Sequence, residues 1–484
     1  MNKNNIIGFA LIAAVLIGFG IWNQPSDEQI AAQKRQDSIE NVARQNAENA
    51  AKLAAQQKIA QAKAAAEADT TALFHAALKG NATNVVLKNK DLELTINSKG
   101  GVVSKAVIKN FEDRNGNKDV TLFDSSTQSL NFALAAKNVN INTADLYFTP
   151  SNQTDSTVTM TAEAGKGKAL VINYVLGKDY MLHTQMQAVG MANDFAPSTS
   201  QMDVQWKDLV RQQERGFTFE NRYASLTYHK TDGGTDYLSE AKNLKDETIE
   251  DKIDWVAFKN QFFSAVMIAK NDFAENSQMT SIPQEKGSGY LKQYEAKMKT
   301  SFDPSGKTPS EFDFYFGPND FRLLNRVEKE CQFNKDLEMQ RLVYLGWPLF
   351  RIINRWFTIY VFDFLTGLNI NMGIVLILIT LLLKLITYPM VKKSYMSSAK
   401  MRVLKPKLEE ATKHLNKPED QMQKQQAMMA EYSKYGVSPL SGCLPMLIQM
   451  PIWIAMFNFV PNAIQLRGES FLWIKDLSTY DPIL

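Results

Sequence analysis

Residues 372–391, MGIVLILITLLLKLITYPMV, form an almost unbroken apolar run that carries a single interior charge, Lys384. As a helix rising about 1.5 Å per residue, such a run is long enough to cross a hydrocarbon core of about 30 Å. Its length and purity argue against the core helix of a soluble protein. Lys384 then sits at a costly depth. The next cation, Lys392, lies eight residues on, about 12 Å along a helix. A lysine side chain reaches roughly half that distance, so snorkelling relieves only part of the cost. A charge so placed costs about 2.5–3.5 kcal/mol on insertion scales and is expected to face protein or water rather than lipid. Gly373, Thr380, Lys384 and Thr387 fall near one helix face, and Leu, Ile and Val occupy the other. A structural lysine paired with a carboxylate would explain the residue, and so would a wet cavity. No Asp or Glu occurs in this run or in the next apolar run, which favours the cavity.

Two further runs complete the expected membrane part. Ile6 to Trp22 is apolar and uncharged, and the NQPSDEQ that follows lacks a small-x-small cleavage pattern, so an uncleaved signal anchor is expected. Residues 437–466 form the third span. They carry Gln449 and the prolines Pro445, Pro451 and Pro461, which remove backbone hydrogen bonds and kink a helix. Kinked helices with polar stripes also occur in transporters, so this feature leaves that function open. The intervening loop, residues 392–436, is rich in lysine and carries Arg402. This enrichment beside membrane ends marks a cytoplasmic loop. The N-terminus is then cytoplasmic and the long polar block extracytoplasmic.

That block has two parts. Residues 26–83 are rich in Ala, Gln, Lys and Asn, with apolar residues too sparse for a core-facing stripe, and read as a helical spacer. From residue 84 the period changes to two. Leu92, Leu94 and Ile96 alternate with Asp91, Glu93 and Thr95; Leu170, Ile172, Tyr174 and Leu176 share a face, as do Phe312, Phe314 and Phe316. Glycine-bearing turn signals at 99–101, 115–117 and 232–234 separate such segments. This pattern predicts an all-β antiparallel sandwich. His183 and His229 lie in strand-like contexts without a nucleophile elbow, metal motif or phosphate loop nearby, and read as ordinary sheet residues. No cofactor and no metal are expected.

Trp347 to Gly367 places Leu349, Ile352, Ile353, Trp356, Tyr360 and Phe364 at helical spacing, with Arg351, Asn354 and Arg355 on other faces. Aromatic residues beside arginines suit a helix lying at the membrane surface. In the basic loop, Leu404, Leu408, Ala411 and Leu415 mark one helical stripe, and Met422, Met429 and Tyr432 another, joined at Asn416-Lys417-Pro418. A helical hairpin is expected, whose cations serve orientation and anionic lipid or recruit a ribosome or targeting factor. The formal net charge is only +3, which argues against nucleic acid as a direct partner. The two cysteines, Cys331 and Cys443, fall on opposite sides in this topology and are not expected to pair. A membrane-anchored periplasmic carbohydrate-binding protein or enzyme remains an alternative, though it gives no reason for Lys384.

Several strings resemble a known family. YPMVKKSYMSSAKMRVLKPKLEE (388–410) and SPLSGCLPMLIQMPIWIAMF (438–457) closely resemble the YidC family of bacterial membrane-protein insertases, related to the mitochondrial Oxa insertase. LELTINSKGG (92–101), WVAFKNQFFSA (255–265) and LWIKDLSTYDP (472–482) support the match. The resemblance implies a β-supersandwich similar in fold to sugar mutarotases but not catalytic, a surface helix over 347–361, and a hydrophilic groove open to cytoplasm and lipid. A cation in that groove would attract the polar segment of a substrate while its apolar segment slides into lipid. The family's groove arginine falls on Lys384, where lysine keeps the charge but loses the bidentate fork. The resemblance also implies further spans after the DP segment, so that the chain ends where the next span should begin.

The expected organisation is therefore a multi-domain membrane protein: an all-β periplasmic supersandwich, a partial α-helical transmembrane bundle and a cytoplasmic helical hairpin. The boundaries are a signal anchor over 1–25, a spacer over 26–83, the β-domain over 84–335, and an interfacial helix region over 336–371. A span over 372–391, the hairpin over 392–436, a span over 437–466 and a periplasmic segment over 467–484 follow. Lys384, Thr380, Thr387 and Gln449 are the candidate groove residues. Trp347, Arg351, Arg355 and Trp356 are candidates on the interfacial helix, and Lys405, Lys407 and Lys413 on the hairpin. The resemblance implies nascent membrane proteins as clients, membrane lipids as surroundings, and the Sec translocon, a ribosome or the signal recognition particle receptor as partners, in a bacterial inner membrane.

Overall fold

The computed structural model describes residues 72–479, apart from 138, 239–243, 332, 334, 413–420 and 437–443. The expected signal anchor and most of the spacer lie outside the described residues, as do Lys413, Cys443 and the joint of the expected hairpin. The chain divides into two compact units. Among the described residues, one contains 72–387 and 447–479, and the other contains 388–446.

Alternating side chains build the first unit. Asn84–Lys88, Leu92–Asn97, Val102–Glu112 and Lys118–Phe123 pair in that order as a four-stranded antiparallel sheet. Leu87, Leu94 and Ala106 meet in register on its buried face. A second antiparallel sheet of fifteen strands runs from residue 128 to residue 318. Gln201–Arg211 pairs with Tyr290–Ser301 and Gln128–Ala135. Ser310–Pro318 pairs with Phe263–Phe273 and Met181–Val189. Phe312, Phe314 and Phe316 are buried, but so are nearly all their neighbours, because this strand is covered on both faces. Phe123 of the small sheet meets Phe316 edge-on at 5.4 Å, and Trp206 stacks on Phe258 at 4.0 Å, so one aromatic core joins the two sheets.

The β-domain is wider than its strand pattern indicates. Phe74 and Ala77, within the expected spacer, are buried in its core. So are Leu337, Met339, Leu342, Val343 and Leu345, which the boundaries above assign to the interfacial region. Their spacing is neither two nor 3.6, since they line irregular chain and a 3₁₀ turn, Met339–Leu342.

Six helices matter here: α1 (Phe217–Tyr223), α2 (Phe321–Glu330), α3 over 348–366, α4 (Met372–Thr412), α5 (Gln421–Lys434) and α6 (Leu444–Phe459). α3 is two α-helical segments, Pro348–Ile353 and Ile359–Thr366, around a π-helical turn, Asn354–Thr358. α4 is the one helix among the described residues long and apolar enough to cross a membrane. α6 ends at Phe459, where two short 3₁₀ turns replace the continuous helix expected to 466. Pro461 offers no N–H to extend the helix. Beyond it, Ala463, Ile464 and Leu466 bury themselves in the core of the β-domain.

Buried polar groups fasten this segment. Gln261 Nε2 donates to Pro461 O at 2.7 Å, and Arg467 Nε donates to Glu214 Oε1 at 2.7 Å with both side chains nearly buried. The Arg467 guanidinium also lies over the Phe263 ring, 5.2 Å from its centroid. Beside the pair, Glu220 accepts from the backbone N–H groups of Gln213 and Glu214 at 3.0 and 2.9 Å. Burial first, and Glu214 second, push the Glu220 carboxyl up to about 8 from its ordinary 4.5.

This shift has a definite sign. Between the two values the folded chain holds a proton that the unfolded chain has released, so the stabilisation is complete below about 4.5 and is lost as pH rises through about 8. The melting temperature of the protein in detergent is therefore expected to fall more steeply from about pH 5 to about pH 8.5 in the wild type than in Glu220→Gln. Parallel pH profiles would contradict it.

Candidate functional site

The start of α4 is set by Asn371, whose Oδ1 accepts from Gly373 N at 2.9 Å. Gly373 has no room for a side chain: a Cβ there would lie 2.1 Å from the Phe471 ring. Val375, Ile379, Leu383 and Thr387 then recur every four residues as the buried face of the helix. Ile374, Ile377, Leu381 and Leu385 are exposed on the outer side, as suits a helix in contact with lipid.

Lys384 lies at the border of these faces and is exposed, with Thr380 half-buried and Thr387 buried beside it. The hydroxyls do not point at the lysine. Thr380 Oγ1 donates to Leu376 O at 2.8 Å, and Thr387 Oγ1 to Leu383 O at 2.9 Å. Both are thus satisfied within the helix, and the ammonium is the one unspent polar group on this edge among the described residues. No ion pair involves Lys384 among the described residues. Gln449 is half-buried on α6. No hydrogen bond joins it to Lys384, Thr380 or Thr387 among the described residues.

A cleft of about 440 Å³, lined by Tyr360, Val361, Phe364, Leu365, Leu378 and Leu382, opens where α3 meets α4. At about 100° per residue, Leu378 and Leu382 point roughly 120–160° away from Lys384. The helix therefore presents an apolar cleft on one side of its buried face and a cation on the other.

α3 packs by a face that its sequence disguises. Asn354, Thr358, Ile359 and Phe362 are buried. Asn354 Nδ2 donates to Leu345 O at 3.1 Å and to Ala455 O at 2.8 Å, tying α3 to α6. Phe362 meets Phe459 edge-on at 5.2 Å. Asn354, expected on a face apart from the apolar stripe, is thus an internal staple within the π-helical turn. The other side of α3 exposes Leu349, Ile352, Trp356, Tyr360 and Phe364, preceded by the exposed Trp347. Arg355 is exposed and Arg351 half-buried. Arg322 of α2 pairs with Asp363 at 2.6 Å and covers the Tyr360 ring at 4.7 Å, fixing α3 to the β-domain.

In the second unit, Leu404 and Leu408 of α4 pack against Met428 and Tyr432 of α5. Of the expected second stripe, Tyr432 packs inward, whereas Met422 and Met429 are exposed. Met428, four residues before Tyr432 and so on the same helix face, takes the inward position instead. Lys405 and Lys407 are exposed, and Lys407 Nζ contacts the Tyr435 hydroxyl at 3.2 Å.

The histidines of the β-domain are held by carboxylates. His183 Nδ1 lies 2.7 Å from Asp313 Oδ1, and Cys331 Sγ donates to Asp313 Oδ2 at 3.3 Å. Burial raises the Cys331 thiol to about 12, which leaves it inert. His229 Nδ1 lies 3.0 Å from Asp254, whose other oxygen accepts from Lys335 at 2.9 Å. Lys335 also contacts Asp272, so the chain leaving α2 is bound to the sheet. Sequence spacing gave no signal of these pairs, which strand pairing and the return of the chain after α2 create.

Two family profiles match the chain: the YidC periplasmic domain over residues 84–360 and the 60Kd inner membrane protein over residues 364–484. The membrane protein insertase YidC of Phocaeicola vulgatus is 49% identical over 492 residues, covering 100% of this chain and 77% of that protein. That of Bacteroides fragilis is 46% identical over 486 residues, covering 100% and 78%. The solved structure of YidC from Thermotoga maritima aligns over 82% of this chain and 81% of that chain, at 13% identity and a TM-score of 0.27.

The staple predicts a specific cost. Asn354→Leu removes both bonds and leaves the buried Leu345 carbonyl without its donor, at about 1–3 kcal/mol. A lowered melting temperature in detergent is the expected outcome, and an unchanged one would contradict the role assigned to Asn354.

Proposed function

The chain belongs to the YidC family of membrane protein insertases, and from that premise we propose that Lys384 is the cation that draws a client's polar segment into the membrane. The observation that carries this reading is the exposed Lys384 on an otherwise apolar helix, without an ion-pair partner among the described residues. Insertion needs no covalent step. A client's apolar segment gains by entering lipid, and the obstacle is its polar flank, each ionised group of which costs several kcal/mol in hydrocarbon. A fixed ammonium in a partly wet groove offsets part of that cost for acidic or carbonyl-rich flanks. Lysine acts here as a point charge without preference for a planar partner.

The neighbouring groups take supporting roles. Thr380 and Thr387 give the groove edge small side chains whose hydroxyls are already bonded, so they leave room without competing for the client. Gln449 supplies a neutral donor and acceptor from the third span. The exposed aromatic face of α3, with Trp347, Trp356, Arg351 and Arg355, lies in the headgroup region on the periplasmic side. Lys405, Lys407 and Lys413 on the cytoplasmic hairpin meet anionic lipid and the ribosome or the signal recognition particle receptor. The N-terminus is cytoplasmic, the chain crosses the inner membrane several times, and the Sec translocon shares part of its clients.

The test uses the full-length protein in cells depleted of their own insertase, with a small client bearing an acidic translocated segment. Lys384→Arg is expected to insert it nearly as the wild type does. Lys384→Ala is expected to lose on the order of tenfold, equivalent to about 1.4 kcal/mol, and Lys384→Glu more. Equal insertion by all variants would overturn the role given to the charge.

A further inference from the structure

The segment after α6 ends in a closed loop with an apolar tip. Phe471 and Ile474 exchange backbone bonds of 2.9 and 3.0 Å, and Leu477 N donates to Glu469 O at 2.9 Å. Asp476 Oδ1 accepts from Gly468 N, Ser478 N and Ser478 Oγ at 3.1, 2.9 and 2.8 Å. The tip between Phe471 and Ile474 is Leu472-Trp473. Leu472 is held at a φ of 54°, a left-handed conformation that a leucine keeps only when its surroundings impose it. Yet the two side chains are 74% and 67% exposed. The fold thus builds a rigid loop in order to hold two large apolar groups away from its own core. Lys475 beside them is exposed as well.

The location of the loop identifies what covers it. Asn371 Nδ2 donates to Ser470 O at 2.9 Å, and the Phe471 ring rests on Gly373. Both contacts lie at the first turn of α4, where the apolar run begins. If α4 spans the bilayer, that turn marks the edge of the hydrocarbon core, and the loop is pinned at that level. Tryptophan and lysine are the side chains that settle at this boundary, the indole among the headgroups and the ammonium toward phosphate.

We propose that Leu472 and Trp473 insert into the lipid headgroup boundary beside the start of α4, with Lys475 facing lipid phosphate. The inference rests on the reading of α4 as a membrane span. The loop then anchors the same end of α4 that bears the β-domain, and fixes the depth at which Lys384 is held.

A fluorophore on a single cysteine tests this in the full-length protein, reconstituted in vesicles of phosphatidylcholine and phosphatidylglycerol. Cys331 and Cys443 are replaced by serine, and Leu472→Cys and Trp473→Cys are labelled separately so that one misfolded variant does not decide the outcome. Leu381→Cys, on the outer side of α4, is the control. The tip labels are expected to be quenched at least twofold more by a nitroxide near the headgroup than by one deep in the acyl chain, and only weakly by aqueous iodide. The control label is expected to be quenched mainly by the deep nitroxide. Tip labels that respond to iodide alone, or to neither quencher because protein covers them, overturn the proposal while the control still reports a span. Loss of lipid quenching at the control as well overturns the span itself, and the tip proposal with it.

Discussion

An ammonium group within an apolar helix must be compensated by charge, by water or by a ligand. Lys384 meets no carboxylate among the described residues, and the threonines beside it spend their hydroxyls on the helix backbone. The arrangement of α4 follows from that constraint. One face, Val375, Ile379, Leu383 and Thr387, is packed; the outer face suits lipid; the charge is left at their border. In the proposed reading such an uncompensated site is useful to an insertase, because the client would bring the missing polar partner. A carboxylate fixed opposite Lys384 would lower the cost of the lysine and remove its capacity to attract.

An open polar edge persists only if its surroundings do not collapse onto it, and here the β-domain supplies the rigidity. It holds the chain beyond α6 by Arg467–Glu214 and Gln261–Pro461, and it holds α3 by Arg322–Asp363. Asn354 then locks α3 to α6. Removing one partner of a buried ion pair such as Arg467–Glu214 costs about 3–5 kcal/mol, since the other charge is left unpaired. The supersandwich therefore serves as a mount for the helices as well as a domain in its own right. Its His–Asp pairs are part of that mount: Lys335, joined to Asp254 and Asp272, binds the chain on its way from the sheet to α3.

The sheets were legible in the sequence wherever one face of a strand is wet, because burial then alternates with a period of two. Leu92, Leu94 and Ile96 show this directly. Ser310–Pro318 is covered on both faces, so its phenylalanine alternation understates how much of it is buried. Irregular chain carries no period, and the packing of Phe74 and of Leu337 to Leu345 was invisible for that reason. Polar residues mislead when they are internal: Asn354 falls off the apolar stripe of its helix, and only the positions of Leu345 O and Ala455 O explain it. Arg467 and Glu214 are separated by 253 positions, and no local pattern connects them. For Lys384 the cost of its place in the run was legible, whereas its position between a packed face and a lipid face required the neighbouring elements.

If Lys384 draws in the client, the client's polar segment passes along the Lys384 edge of α4 and not along its apolar cleft. Site-specific photocrosslinking to a stalled client tests this most directly, with the crosslinker placed in turn at Thr380, Lys384, Leu378 and Leu382 of the full-length protein. The client's polar segment is expected to be captured from positions 380 and 384, and hardly at all from 378 and 382. Capture of that segment chiefly from Leu378 and Leu382, or equally from all four, would contradict it.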